Sequence, residues 1–195
     1  MIYTTLISAT QLTALNNARI LDCRARLGEP EYGRQLYQQG HIPAAGYLSL
    51  DDDLAAAPGT GGRHPLPQPE QLASRLRELG INDDDQVVVY DDAGGAYAAR
   101  AWWCLRWLGH TAVAVLDGGL GAWQGELETA QPEPARGNFS IRPALTRTIE
   151  VSELNRQLEA RTLIDARSEA RFAGREEPID AVAGHIPGAV CRPFQ

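Results

Sequence analysis

The 195-residue chain contains no lysine; all eighteen of its basic residues are arginine. Its formal net charge is −7. No basic stripe is present that could neutralise phosphates, which speaks against nucleic acid or an anionic membrane as a partner. The missing lysine itself reads as compositional bias. Cysteine is scarce as well: Cys23, Cys104 and Cys191 are odd in number and far apart. They offer no C-x-x-C pair, no zinc spacing and no disulfide framework. No stretch approaches the ~20 consecutive apolar residues of a membrane span. The N-terminus, Met1-Ile2-Tyr3-Thr4-Thr5-Leu6, lacks the basic and apolar regions of a secretory signal, so a cytoplasmic location is expected.

What is present is a signature written twice. Ala18-Arg19-Ile20-Leu21-Asp22-Cys23-Arg24 is followed by Gly40-His41-Ile42-Pro43-Ala44-Ala45. Later, Ala160-Arg161-Thr162-Leu163-Ile164-Asp165-Ala166-Arg167 is followed by Gly184-His185-Ile186-Pro187-Gly188-Ala189. Asp22 and Asp165 are 143 residues apart, and His41 and His185 are 144 apart. Two matched signatures in one register indicate a duplicated domain of about that period. A composition of 44% apolar and 22% charged residues is that of a globular chain. About forty residues of an α/β unit cannot bury a core of their own. The second copy is therefore expected to be incomplete, with its remainder beyond Gln195.

Local patterns give an α/β order. Ser8 caps a helix, Ala18 to Cys23 reads as a buried strand, and Glu31 to Gln39 as a short helix. Gly40-His41-Ile42-Pro43 is a turn, and Gly46 to Leu50 another strand. Pro58, Gly59, Gly61, Gly62, Pro65 and Pro67 mark residues 51–68 as loop. Pro69 opens a helix that Gly80 ends. Gln86 to Tyr90 is the clearest strand; it leads through Asp91-Asp92-Ala93-Gly94-Gly95-Ala96 into a helix from Tyr97 to Leu108. Thr111 to Leu116 is a further strand, and a short helix containing Trp123 follows. Strands alternating with helices predict parallel β-α units with helices on both faces. Residues 6–125 are read as the N-terminal domain, 126–147 as an interdomain linker and 148–195 as the first part of a C-terminal domain. In that last part, Ser152 is expected to cap a helix through Leu158, with strands at Thr162 to Asp165 and Gly188 to Phe194.

The loop after Tyr90 carries the chemistry. A strand feeding a Gly-containing loop and a helix N-terminus gathers backbone N–H groups around one point, which suits an anion. A cysteine there would become a thiolate nucleophile. Here the residue is Asp91, which fills such a nest but cannot carry sulfane sulfur.

Taken together, Asp22-Cys23-Arg24, Gly40-His41-Ile42-Pro43-Ala44-Ala45, Val89-Tyr90-Asp91-Asp92, Ala99-Arg100-Ala101-Trp102-Trp103 and Leu116-Asp117-Gly118-Gly119-Leu120-Gly121-Ala122-Trp123 resemble the two-domain rhodanese family. That family comprises thiosulfate and 3-mercaptopyruvate sulfurtransferases. The resemblance implies a parallel five-stranded sheet flanked by helices, duplicated, with an inert N-terminal copy that commonly has Asp in place of the nucleophile. Asp91 matches that pattern. By the repeat offset the active cysteine should fall near position ~235, so no catalytic residue is expected within the chain, and the chain alone is expected to be inactive.

The resemblance further implies that Arg171 binds the donor's sulfonate or carboxylate oxygens and that Tyr97 lines the cleft, whose wall Ala25 and Ala96 leave more open. A guanidinium fork suits an oxyanion, although an arginine solvated on a helix surface is the structural alternative. The loop from Gly174 to Ala183 lacks the second arginine that mercaptopyruvate enzymes tend to carry, unless Arg175 compensates, so thiosulfate is the expected donor. Cyanide or another thiophile is the acceptor, and no metal or organic cofactor is implied. Cys23 and Cys104 are read as core, Cys191 as a strand residue, and His41 and His185 as structural hydrogen-bonding groups. The competing readings are a 3-mercaptopyruvate enzyme and a non-catalytic rhodanese-like binding or regulatory module. A phosphatase of related fold needs Cys-x5-Arg, which is absent.

Overall fold

A computed structural model describes residues 2–59 and 62–194; Gly61 and Gln195 lie outside the described residues. The chain divides into two compact units, Met1–Arg147 and Thr148–Gln195.

The first unit is built on five parallel strands in the order β1-β5-β4-β2-β3. They are β1 (Leu6–Ile7), β2 (Ala18–Asp22), β3 (Gly46–Tyr47), β4 (Gln86–Tyr90) and β5 (Val113–Leu116). The apolar run of β4 pairs on both edges, Leu21 opposite Val89 and Val89 opposite Val115. Its side chains alternate between two buried clusters. Val87 and Val89 pack with Leu72, Leu76, Ala98, Ala101 and Leu105. Val88 and Tyr90 pack with Ile7, Leu12, Ile42 and Leu116. That alternation places α3 (Pro69–Glu78) and α4 (Ala96–Trp107) on one face and α1 (Ala9–Thr13) on the other. A strand covered on both faces is apolar where it is buried, and β4 carries Val87, Val88 and Val89 there.

Helix ends follow their sequence signals. Ser8 caps α1 through a reciprocal box with Gln11, and Pro69 opens α3. α2 (Tyr32–Gln39) ends at Gly40. Several elements are shorter than expected. β3 stops at Tyr47 because Leu48 and its successors turn into a loop in which Ser49 accepts from Asp53 and Leu54. The segment before Trp123 is a 3-10 turn, Gly119–Ala122, and Trp123 itself is extended.

Residues 126–147, expected as a linker, lie along the first unit. Glu128 bridges His41 through paired backbone bonds of 2.9 Å in each direction. Arg142 meets Asp83 at 2.9 Å. Phe139, 2% exposed, completes the α3–α4 cluster.

The second unit contains α5 (Val151–Arg156), β6 (Ile164–Asp165), α6 (Glu169–Phe172) and β7 (Val190–Cys191), with β6 and β7 parallel. Here Glu150, not Ser152, is the N-cap of α5, and the helix ends at Arg156 before a separate 3-10 turn. Ser152 therefore sits inside the first turn. No described residue of this unit is buried.

Candidate active site

In a parallel sheet, loops at the strands' carboxyl ends converge, and ligands bind there. In the first unit Asp91 opens the loop after β4. Gly94 and Gly95 take left-handed backbone (φ 68° and 90°), folding the chain back on itself before α4 begins. The Asp91 carboxylate, fully buried, accepts four backbone N–H bonds: Ala93 and Gly95 at 2.9 Å each, Tyr97 at 2.8 Å and Ala98 at 2.9 Å. The N-cap Gly95 has no side chain to satisfy the first helical amides. Asp91 does so from the preceding loop, at the positive end of the helix dipole. Its own carbonyl accepts from Leu120 N at 2.8 Å, which ties in the loop after β5. A side chain at Gly119 would collide with that carbonyl.

Beside the nest, β2 ends in a buried ionic clamp. Arg24 Nη2 meets Asp22 Oδ2 at 2.6 Å and donates to Gly40 O at 2.7 Å. Tyr90 donates to Asp22 Oδ2 at 2.7 Å. Burial, then the Asp22 charge, pushes the Tyr90 phenol far up, so it serves as a permanent donor. Tyr97, half-buried, stands one residue into α4; burial raises its phenol, moderated by a backbone bond at Leu27. The structure thus brings Asp91 and Tyr97 together.

The expected core cysteines are buried. The Cys23 thiol is pushed well above its usual range by burial and then by the Asp22 charge, and burial raises Cys104 to about 11. Neither forms a thiolate near neutral pH. His41 is buried, with Nδ1 2.8 Å from Tyr37 O and its ring stacked on Tyr37 at 3.9 Å.

In the second unit the same contacts recur. Arg167 Nη2 meets Asp165 Oδ2 and Gly184 O at 2.6 Å each. His185 Nδ1 lies 2.8 Å from Phe172 O, its ring stacked on Phe172 at 3.7 Å. Cys191, on β7, is partly exposed. Arg171 lies in the last turn of α6, its side chain 20% exposed, and is not simply solvated. Its Nη2 meets Glu177 Oε1 and Asp180 Oδ2 at 2.8 Å each, and its Nε lies 3.3 Å from Glu177 Oε2. Glu177 also binds Arg167 Nη1 at 3.2 Å and accepts from the amides of Ile179 and Asp180. The Arg171 hydrogen bond and those amides hold its carboxyl down at about 2.

These acidic partners carry no periodicity or motif in the sequence. Nor does a pair in the loop after β3, where His64 Nε2 lies 3.3 Å from Asp51 Oδ1. Arg100 of α4 fixes that loop through the carbonyls of Leu54, His64 and Pro65. Among the described residues no cluster of His, Cys, Asp or Glu could hold a metal ion. Nor is any helix among them long and apolar enough to cross a membrane.

A doubly covered parallel sheet with an anion nest at its carboxyl end defines an α/β domain of the rhodanese fold. The Rhodanese-like domain matches residues 8–126, and the chain belongs to that family. It is 46% identical over 200 residues to a Pseudomonas aeruginosa protein that bears the name 3-mercaptopyruvate sulfurtransferase, covering 97% of this chain and 70% of that one. It is 45% identical over 200 residues to SseB of Mycobacterium tuberculosis, which bears the name thiosulfate sulfurtransferase, covering 95% and 69%. The solved 3-mercaptopyruvate sulfurtransferase from Leishmania major superposes with a TM-score of 0.86 at 30% identity, over 97% of this chain. This chain spans 54% of the length of that structure.

Proposed function

We propose that the chain supplies the donor-binding parts of a sulfurtransferase that takes sulfur from 3-mercaptopyruvate and passes it, through a cysteine persulfide, to cyanide or another thiophile. The observation that carries this reading is the Asp91 nest, where four amides converge on one anionic group. With cysteine as first loop residue, such a nest favours thiolate and persulfide. With a carboxylate it holds no sulfur, so residues 1–147 act as the inert copy.

Residues 148–195 are read as the start of a second copy. The recurring Asp–Arg–carbonyl clamp and the recurring histidine stack support that reading. The nucleophile then belongs to the loop that repeats Asp91 near position ~235, and the 195 residues alone are inactive. Arg171 grips the donor carboxylate and Tyr97 lines the cleft.

In the reaction the thiolate attacks the donor sulfur and the C–S bond breaks. The leaving enolate takes up the donor's thiol proton to become pyruvate, leaving Cys–S–S⁻. Cyanide then attacks the outer sulfur, releasing thiocyanate and restoring the thiolate. No metal or organic cofactor takes part in these steps.

Thiosulfate, which the missing second arginine suggested, remains the second reading, and the likeness to SseB of Mycobacterium tuberculosis favours it. Mercaptopyruvate is preferred because its carboxylate is a monoanion. Arg171 is already met by two carboxylates, Glu177 and Asp180, and Glu177 is shared with Arg167. A dianion pays more repulsion there. The test is thiocyanate formation by a chain that includes the second copy's counterpart of the Asp91 loop, with each donor in turn. A higher kcat/KM for mercaptopyruvate is expected; no thiocyanate from either donor would sink the proposal.

A further inference from the structure

The geometry points to Glu177 as a positioning residue that turns Arg171 so that its Nη1 end meets the donor carboxylate. This inference rests on the reading of Arg171 as the donor-binding residue. A guanidinium is flat, so two bonds along one edge fix both its plane and its direction. Glu177 makes that pair: Oε2 lies 3.3 Å from Arg171 Nε, and Oε1 lies 2.8 Å from Nη2. Asp180 Oδ2 lies 2.8 Å from the same Nη2. No bond among the described residues reaches Nη1, which leaves that nitrogen for a donor oxygen.

Glu177 is itself held firmly. Its side chain is 6% exposed, and it accepts from the amides of Ile179 at 3.1 Å and Asp180 at 2.9 Å. Arg167 Nη1 reaches it at 3.2 Å, and Arg167 is anchored in turn by Asp165 and Gly184 O. The first unit shows what this arrangement adds. There Arg24 closes the same clamp on Asp22 and Gly40 O, and forms no ion pair with a second carboxylate among the described residues. At the repeat spacing of 143, Arg171 falls on Gly28 and Glu177 on Arg34. The clamp closes without a third member, and Glu177 occurs together with the arginine it orients. Charge and position make opposite demands at this residue. As a nearby anion Glu177 repels a donor anion, so removing its charge alone would strengthen binding. As a positioning group it spares the donor the cost of ordering a long side chain, so its loss weakens binding.

The experiment titrates the 195-residue chain, isotope-labelled in its arginines and backbone amides, with sodium pyruvate at constant ionic strength. Pyruvate carries the α-keto carboxylate of the donor without transferable sulfur. In the wild type it should move the Arg171 Nη1 resonances and leave the Nε–H resonance, held by Glu177, in place. A displaced Nε–H that exchanges faster with water would show that the anion takes the place of Glu177, and would overturn the inference. This readout needs no variant, so it decides the matter even if a substitution unfolds residues 148–194. For Glu177→Gln, pyruvate affinity is expected to fall about tenfold, against the direction of the charge change. Equal or higher affinity, with the amide resonances of residues 148–194 still dispersed, would overturn the inference. Glu177→Asp, which restores a carboxylate, should recover part of the lost affinity.

Arg171→Gln separates this inference from the reading beneath it. If the wild type shows no pyruvate shift at Arg171, or Arg171→Gln binds pyruvate as tightly, the underlying reading fails and this inference with it. If binding is lost in Arg171→Gln while Glu177→Gln keeps it in full, the reading stands and the role of Glu177 is overturned.

Discussion

At the scale of single residues, the decisive position is Asp91 in the β4–α4 nest. Asp91 has no exposed surface and satisfies four amides that nothing else in the loop reaches. A buried carboxylate is costly unless fully hydrogen-bonded, and here it is. Asp91→Ala would strand those amides around a small void. We expect a loss of about 3–5 kcal/mol, measured by urea denaturation of the chain. A loss below about 1 kcal/mol would mean that water replaces the carboxylate without penalty. The same bonds give the carboxylate a structural role: it follows β4 directly and satisfies the first amides of α4.

At the scale of elements, legibility depended on how local the determining signal was. β4 is plain because four consecutive β-prone residues, Val87 to Tyr90, admit one reading, and the nest because Gly94 and Gly95 mark the left-handed turn it needs. The capping box of α1 was half visible, through Ser8 alone. β3 and β7 were overestimated because an edge strand ends where its neighbour stops offering partners, which the strand's own residues do not encode. Glu177 was invisible for a similar reason. Its importance lies in joining Arg167 to Arg171, and no periodicity records that. The stretch 126–147 looked like a linker because proline and polar residues outnumber its few apolar anchors. One of these, Phe139, fills the gap between α3 and α4. Phe139→Ala should destabilise the first unit by about 3–5 kcal/mol. A thermal or urea midpoint close to wild type would show that the strap merely rests on the surface.

At the scale of the whole molecule, the two units differ in what holds them together, and acid should separate their behaviour. The first has two buried clusters, and its resolved carboxylate shifts oppose one another. Asp53 and Asp92 are raised, chiefly by burial. Asp83, although burial pushes it up, is lowered by its Ser140 and Arg142 partners. The second unit has no buried residue among those described; Val151 and Val182 are each 81% exposed. Its cohesion is drawn largely from the clamp around Asp165, Arg167, Glu177 and Arg171. The Arg167 hydrogen bonds lower Asp165 from 3.8 to about 2, and the Arg171 bond lowers Glu177 from 4.5 to about 2. A carboxylate whose pKa is lower folded than unfolded stabilises the fold above its unfolded value, and that contribution disappears as pH falls through the folded one. The clamp should therefore be intact at pH 6 and lost between about 4.5 and 2. Dispersed amide resonances of residues 148–194 are expected to collapse across that window while those of β4 and α4 stay dispersed. Because these side chains are largely covered, added salt should screen the pairs weakly and move the collapse little. Simultaneous loss of both sets of resonances would show instead that the two units unfold as one.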